Sequence, residues 1–127
     1  MSLNSNSVAV ITGAASGIGR ALAVRLAKER IAGVAISDVN EAGLQETAEL
    51  AKTEGVIVST HIIDVSKPAD VQRLADEVIA QHGRVTHLVN NAGVGVMGTF
   101  EHLSIEDFEW LMSIKSRASI PGGVCEF

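Results

Sequence analysis

The chain has 127 residues, a formal net charge of -5, and 46% hydrophobic but only 3% aromatic residues, a length that corresponds to one domain or to part of one. The negative charge and the lack of a basic block argue against nucleic acid or an anionic membrane surface as partner, and no apolar run approaches the ~20 residues of a membrane span. The single cysteine, Cys125, excludes an internal disulfide and a multi-cysteine zinc site, and together with the lack of a signal-peptide pattern in residues 1–7 it predicts a cytoplasmic protein.

Apolar runs alternate with segments of helical periodicity in the first half of the chain. A first strand over residues 8–11 leads through a glycine-rich turn into a helix with an apolar face. A second strand over residues 33–36 continues to Asp38, and a helix rich in Glu and Ala follows over residues 41–54. Gly55 breaks this helical pattern.

The alternation continues in the second half. A third strand is predicted over residues 56–63, and Ser66, Pro68 and Asp70 open the clearest helix of the chain. A fourth strand over residues 85–90 precedes a glycine-rich loop. The last predicted segments are a helix that starts at a capping box and spans residues 104–114, and an irregular tail over residues 115–127.

This order of elements predicts an α/β protein with a Rossmann-like, doubly wound parallel sheet. Residues 7–114 would supply a partial fold of about four strands in the order 3-2-1-4, preceded by a flexible N-terminus over residues 1–6. In such a sheet the loops after strands 1 and 4 border the crevice where ligands bind. The fourth strand would lie at an open edge, which favours association into a homo-oligomer.

Residues 12–19, with the sequence TGAASGIG, form the turn between the first strand and the first helix. Glycines allow a tight turn and let the backbone approach a pyrophosphate, which then lies at the positive end of the helix. A turn that serves only packing is the alternative. The residues of this predicted anion site are Gly13, Ser16, Gly17, Ile18 and Gly19.

Asp38 ends the second strand about twenty residues after the glycine turn, where a carboxylate can accept hydrogen bonds from both ribose hydroxyls. It would also repel a 2′-phosphate, and neither Ser16 nor Val39 offers a cation to one, so NAD is favoured over NADP. Arg20 follows the turn and could equally face solvent. Asp38 could also be only a turn or cap residue before Asn40.

The segment from Asn90 to Gly93, with the sequence NNAG, follows the fourth strand. Together with the glycine spacing G-x-x-x-G-x-G, it resembles the N-terminal, cofactor-binding portion of the short-chain dehydrogenase/reductase family over residues 7–114. The resemblance implies an NAD(P)-dependent oxidoreductase that interconverts alcohols and carbonyls. It also implies that Asn90 braces the central strands and that Asn91, Ala92 and Gly93 border the cofactor. An Asn-Gly loop of purely conformational purpose is the alternative.

The same resemblance extends to the end of the third strand. It implies that Asp64, followed by Val65, lies against the adenine, with the carboxylate reaching the adenine amino group. The residues alone leave a second interpretation open, in which Asp64 is a carboxylate near the N-terminus of the following helix.

The catalytic half of the family pattern is missing. The chain contains no tyrosine, whereas the family's acid/base catalyst is a tyrosine followed four residues later by a lysine, and Lys115 stands where the family places an asparagine. Hydride transfer to a carbonyl needs a proton donor beside the developing alkoxide. The prediction is therefore an NAD-binding portion without catalytic or metal-binding residues, not catalytic in this truncated form. The alternative is an interaction or regulatory half-fold that pairs with a full-length homologue.

Overall fold

The computed structural model describes residues 3–91 and 123–126. These residues form eight elements in chain order. The elements are β1 (Val8–Thr12), α1 (Gly17–Lys28), β2 (Gly33–Asp38), α2 (Glu41–Ala51), β3 (Ile57–Ile62), α3 (Pro68–His82), β4 (His87–Asn90) and β5 (Gly123–Glu126).

The strands form one sheet in the order β3-β2-β1-β4-β5. β1 pairs in parallel with both neighbours, so that Val10 lies opposite Ala35 on β2 and opposite Leu88 on β4. β2 pairs in parallel with β3. The predicted order 3-2-1-4 and the predicted partial Rossmann-like α/β fold are confirmed.

The central strands β1 and β2 are buried on both faces, because the alternation of side chains along each strand supplies two cores. Val10 and Leu88 pack on one face against α3, together with Leu74 and Val78. The opposite face packs against α1 and α2 through a second cluster that includes Ile11, Ile36, Leu26 and Leu44. Helices on both faces leave the ligand-binding loops at the carboxyl edge of the strands.

The outer edge of β4 is occupied, so the predicted open edge is wrong. β5 pairs antiparallel with β4, and Gly123 lies opposite Asn90 while Glu126 lies opposite His87. This pairing satisfies backbone groups that an edge strand leaves open. The structure thus differs from the irregular tail expected over residues 115–127, because a four-residue strand is too short to reveal a period of two. The helix predicted over residues 104–114 lies outside the described residues.

Residues 3–7 make a local turn and a contact with the core. The N–H of Ser7 donates to the carbonyl of Asn4 at 3.0 Å, and Leu3 packs against the cluster on the α1 and α2 side. None of the helices in the described part of the chain combines the length and apolarity that a membrane span requires.

Candidate functional site

A cleft of about 330 Å³ opens at the carboxyl ends of β1, β2 and β3. It brings together three sequence positions that the motifs predicted to share one site, namely Gly13, Asp38 and Asp64. The residues that line the cleft are Gly13, Ser37, Asp38, Val39, Ile63, Asp64, Val65 and Ser66.

The glycines of the turn are needed for two different reasons. Gly13 and Gly17 have φ values of 66° and 60°, in the left-handed region that L side chains rarely adopt. A Cβ at Gly17 would have nothing within 4 Å, so the space next to it is open. A Cβ at Gly19 would collide with the carbonyl oxygen of Gly13 and would lie 2.8 Å from Nδ2 of Asn91. Gly19 therefore serves packing, whereas Gly17 serves the turn itself.

The N-terminus of α1 points a positive end toward this open space. Ser16 is the N-cap residue with an extended backbone, and its side chain makes no capping hydrogen bond within the described residues. Ser16, Gly17 and Ile18 are exposed, and no acidic residue lies in the first turn. Uncapped N–H groups at the start of a helix are suited to hold an anion.

The loop between Gly13 and Ser16 is held from behind by hydrogen bonds to all four backbone polar groups of Ala14 and Ala15. The Ala14 N–H donates to the carbonyl of Ser37 at 3.1 Å, and the Ala14 carbonyl accepts from Oγ1 of Thr47 at 2.7 Å. The Ala15 N–H donates to Oδ2 of Asp38 at 3.0 Å, and the Ala15 carbonyl accepts from Nη2 of Arg20 at 2.6 Å. These bonds fix the orientation of the peptide units that precede the helix.

Asp38 is both a turn residue and a residue of the cleft. Its Oδ1 accepts a hydrogen bond from the N–H of Asn40 at 3.1 Å, which is the turn role that the sequence left open. Its Oδ2 accepts from Ala15, as described above. Each carboxylate oxygen has two lone pairs, so this half-buried side chain keeps acceptor capacity toward the cleft.

Asp64 also lines the cleft. Its Oδ1 accepts hydrogen bonds from Oγ of Ser66 at 2.6 Å and from the N–H of Ser66 at 3.0 Å. These two bonds lower the pKa of the Asp64 carboxyl below its ordinary value of 3.8, and the positive charge of Lys67 adds to the effect. Asp64 is therefore ionised at neutral pH. Val65 is half-buried and packs against the core cluster on the α3 side.

Asn91 connects the end of β4 to the glycine turn. Its N–H donates to Oγ1 of Thr12 at 3.0 Å, and its Nδ2 donates to the carbonyl of Gly13 at 3.2 Å. Asn91 thus makes bracing contacts of the kind that the sequence resemblance implied for Asn90. The predicted positions Ala92 and Gly93 lie outside the described residues.

The sequence did not identify Arg20, Thr47 and Gly43 as residues that support the glycine turn from α1 and α2. Arg20, described above as a residue that could face solvent, donates to Thr47 Oγ1 at 2.9 Å and to the carbonyl of Gly43 at 3.2 Å. A Cβ at Gly43 would lie 2.8 Å from the Ala15 carbonyl oxygen. A glycine inside a helix is unfavourable and indicates close packing, so Gly43 was the available signal.

His61 and His82, two of the four histidines, belong to a hydrogen-bonded network between β3 and α3. Oγ of Ser59 lies 2.8 Å from Nε2 of His61 and 2.7 Å from Nε2 of His82, and Nδ1 of His61 lies 2.6 Å from Oε1 of Glu77. Residues 3–91 and 123–126 contain no group of three or more His, Cys, Asp or Glu side chains that could hold a metal ion.

The sheet order and the cleft at its carboxyl edge define a Rossmann-type domain. The family of short chain dehydrogenases matches residues 7–122 of the chain. The SadH protein of Mycobacterium tuberculosis, which its name classes as an oxidoreductase, is 41% identical over 114 residues that cover 90% of this chain and 41% of SadH. The chain belongs to the short-chain dehydrogenase/reductase family, whose members are oxidoreductases that bind NAD(P).

Two solved structures have the same fold. A xylitol dehydrogenase with bound NAD⁺ has a TM-score of 0.65 and 30% identity, and the match covers 87% of this chain and 43% of the other. An alcohol dehydrogenase from Thermococcus sibiricus, in complex with 5-hydroxy-NADP, has a TM-score of 0.65 and 36% identity, with 87% and 51% covered. The chain spans about two fifths of the length of SadH and about half or less of these enzymes.

Proposed function

We propose that residues 7–114 form a cofactor-binding domain that holds the adenosine and pyrophosphate part of NAD. The observation that carries this proposal is the convergence of Gly13, Asp38 and Asp64 on one cleft. In this proposal Asp38 accepts hydrogen bonds from the ribose, Asp64 and Val65 border the adenine, and Asn91, Ala92 and Gly93 border the remainder of the cofactor. Ser16, Gly17, Ile18 and Gly19 form the pyrophosphate site.

Three features of the described residues support a fit to such a ligand. Open space lies next to Gly17, where a pyrophosphate could approach the backbone. The first turn of α1 has no side-chain cap within the described residues, so its N–H groups are suited to the negative charge. Ser37 lines the cleft, and its buried hydroxyl has no hydrogen-bond partner in the described part of the chain.

A preference for NAD over NADP follows from the charges around Asp38. A 2′-phosphate would meet the Asp38 carboxylate, and the adjacent Val39, 65% exposed, offers it no positive charge. Arg20 is the nearest cation in the sequence of the turn, but its guanidinium is engaged by Ala15, Gly43, Thr47 and Glu46. Because the Arg20 guanidinium already has these partners, the site favours NAD, which lacks the 2′-phosphate.

Cofactor binding and turnover depend on different residues of the family. NAD supplies a hydride acceptor when it is bound, and the family's tyrosine would supply the matching proton transfer. The 127 residues contain no tyrosine, so we expect binding without alcohol oxidation by the family's route. The cytoplasmic location and the homo-oligomer stay predictions from the sequence.

The alternative, a regulatory half-fold that pairs with a full-length homologue, rested on an open edge at β4. Since β5 pairs with that edge, β4 does not offer the open edge on which this alternative rested.

The test is a fluorescence titration of the complete chain with NADH and, separately, with NADPH. We expect saturable enhancement of NADH emission and at least about tenfold weaker binding of NADPH, which corresponds to ~1.4 kcal/mol. Unchanged NADH emission with the folded chain would remove the proposal, and equal affinities would remove the preference for NAD.

A further inference from the structure

Thr47 and Arg20 form a connected pair behind the glycine turn, which we name the Arg20–Thr47 clamp. Oγ1 of Thr47 donates to the Ala14 carbonyl at 2.7 Å and accepts from Nε of Arg20 at 2.9 Å. Nη2 of Arg20 donates to the Ala15 carbonyl at 2.6 Å. The clamp therefore satisfies two consecutive carbonyl groups of the turn with side chains from two different helices.

The clamp lies outside the cleft, because neither of its residues is among those that line it. Thr47 is fully buried, and the Arg20 side chain is 27% exposed. Arg20 is further held by Glu46 at 3.1 Å. The hydrogen bonds of the clamp to the turn act on the backbone of Ala14 and Ala15.

The two carbonyls that the clamp holds have no easy substitute partner. Ala14 is fully buried and Ala15 is 3% exposed, and a buried carbonyl without a hydrogen bond is costly. Without the clamp, the peptide units would rotate to bring these oxygens toward water. Such a rotation would also turn the N–H groups of Ala15 and Ser16, which belong to the same two peptide units as these carbonyls.

We propose that Arg20 and Thr47 are positioning residues that preorganise the glycine turn for pyrophosphate, so that α2 becomes part of the cofactor site without touching the cofactor. This inference rests on the proposed function. Preorganisation raises affinity by removing the cost of ordering a loop on binding. The adenosine half of the ligand would be held by Asp38 and Asp64 on β2 and after β3. The clamp should therefore affect binding of the pyrophosphate but not of adenosine.

The experiment compares ADP with adenosine as probes on the complete chain, by titration of amide chemical shifts below the thermal midpoint of each variant. Thr47→Val removes the hydroxyl with little change in volume, and Thr47→Ser restores it. Thr53→Val is the matched control, because among the described residues the Thr53 hydroxyl bonds only the Ala51 carbonyl at the end of α2, at 2.9 Å. We expect Thr47→Val to weaken ADP binding at least about fivefold and adenosine binding less than about twofold, while Thr47→Ser and Thr53→Val match the wild type.

A second variant covers the case in which Thr47→Val does not fold. Arg20→Lys keeps the charge but cannot reach Thr47 and the Ala15 carbonyl with a planar fork, and Arg25→Lys on the same helix is its control. Within the part of the chain that the structure describes, Arg25 pairs only with Glu29 on the exposed surface, at 2.8 Å. Arg20→Lys should show the same selective loss of ADP affinity.

The outcomes separate the two proposals. If the wild type binds neither ADP nor NADH, the proposed function fails and the clamp's role fails with it. If the wild type binds both but the clamp variants bind ADP as tightly, only the positioning role is overturned. An equal loss of ADP and adenosine would also overturn it, because that result indicates a general structural defect.

Discussion

A side chain at Gly19 has no room because the carbonyl oxygen of Gly13 occupies its place. The first turn of α1 therefore lies directly against the start of the glycine turn. The contact explains why the last glycine of the motif is inside a helix, where glycine is otherwise unfavourable.

Alanine substitutions at Gly19 and Gly17 should differ in how they change stability and cofactor binding. Gly19→Ala must displace the backbone of Gly13 and should destabilise the fold by about 2–3 kcal/mol, in the range of overpacked sites. Gly17→Ala meets nothing within 4 Å and should cost only about 1–2 kcal/mol for the left-handed backbone. Urea unfolding measures both values.

The same pair should separate stability from binding. The methyl group of Gly17→Ala enters the open space proposed for the pyrophosphate, so this variant should lose most NADH affinity while it remains folded. A larger loss of stability at Gly17 than at Gly19 would contradict the account of the two glycines.

Replacing Asp38 by asparagine should relax cofactor choice. Asp38→Asn keeps the shape of the side chain but removes the negative charge and one of the acceptors that serve Ala15 and Asn40. We expect NADH to bind about tenfold more weakly and the preference over NADPH to shrink, because the repulsion of a 2′-phosphate is gone. Parallel titrations with the two cofactors measure the ratio, and an unchanged ratio would show that Asp38 does not select between them.

The buried network around Ser59 should make stability depend on pH. Burial lowers the pKa of His82 from its ordinary value of 6.5, and the nearby His61 lowers it further. The unfolded chain then binds the proton more readily than the folded chain. The stabilisation that neutral His82 provides is fully present above pH 6.5. It is lost as the pH falls from there through the lowered pKa of the folded state.

The variant His82→Gln isolates this contribution. Glutamine can still bond Ser59 but does not titrate, so its free energy of unfolding should fall less than that of the wild type between about pH 7 and pH 5. Urea unfolding at several pH values makes the comparison. Equal slopes for the two proteins would mean that His82 does not carry the effect.

Removing the hydroxyl of Ser66 should raise the pKa of Asp64. The Ser66 side chain is the largest cause of the lowered pKa, so Ser66→Ala should move the pKa back toward 3.8. The stabilising effect of these bonds is present above pH 3.8 and is lost as the pH falls through the lowered value. Carbon-13 NMR of the carboxyl group during an acid titration measures the change, and Ser5→Ala, at an exposed position near the N-terminus, is a control expected to leave the Asp64 pKa unaltered.

The helices and strands that could be predicted were those marked by long sequence patterns. β1 to β4 and their helices are marked by apolar runs and helical periodicity, which is why their order was predicted from the sequence. α2 ends at Ala51 rather than at residue 54, because Lys52 leaves the helical conformation with ψ 119°, which periodicity does not reveal. β5 was missed because four residues carry no visible period.

The candidate site was likewise predictable only in part. Its motifs lie at strand ends, so Gly13, Asp38 and Asp64 could be placed around one cleft before any contact was known. The clamp could not, because Arg20 and Thr47 are 27 residues apart and meet only when α1 packs against α2. The second function of Asp38, as acceptor for the Ala15 N–H, likewise depends on a contact between β2 and the turn.

The most direct test of the central claim is a titration of the isotope-labelled chain with NAD⁺, followed by amide chemical shifts. If the three strand ends hold the dinucleotide, the largest shifts will fall on the turn from Gly13 to Gly19 and on Asp38, Asp64 and Asn91, and they will saturate. Absence of shifts at millimolar NAD⁺, or shifts confined to the opposite edge of the sheet around Ser7, Gly33 and Ile57, would contradict it.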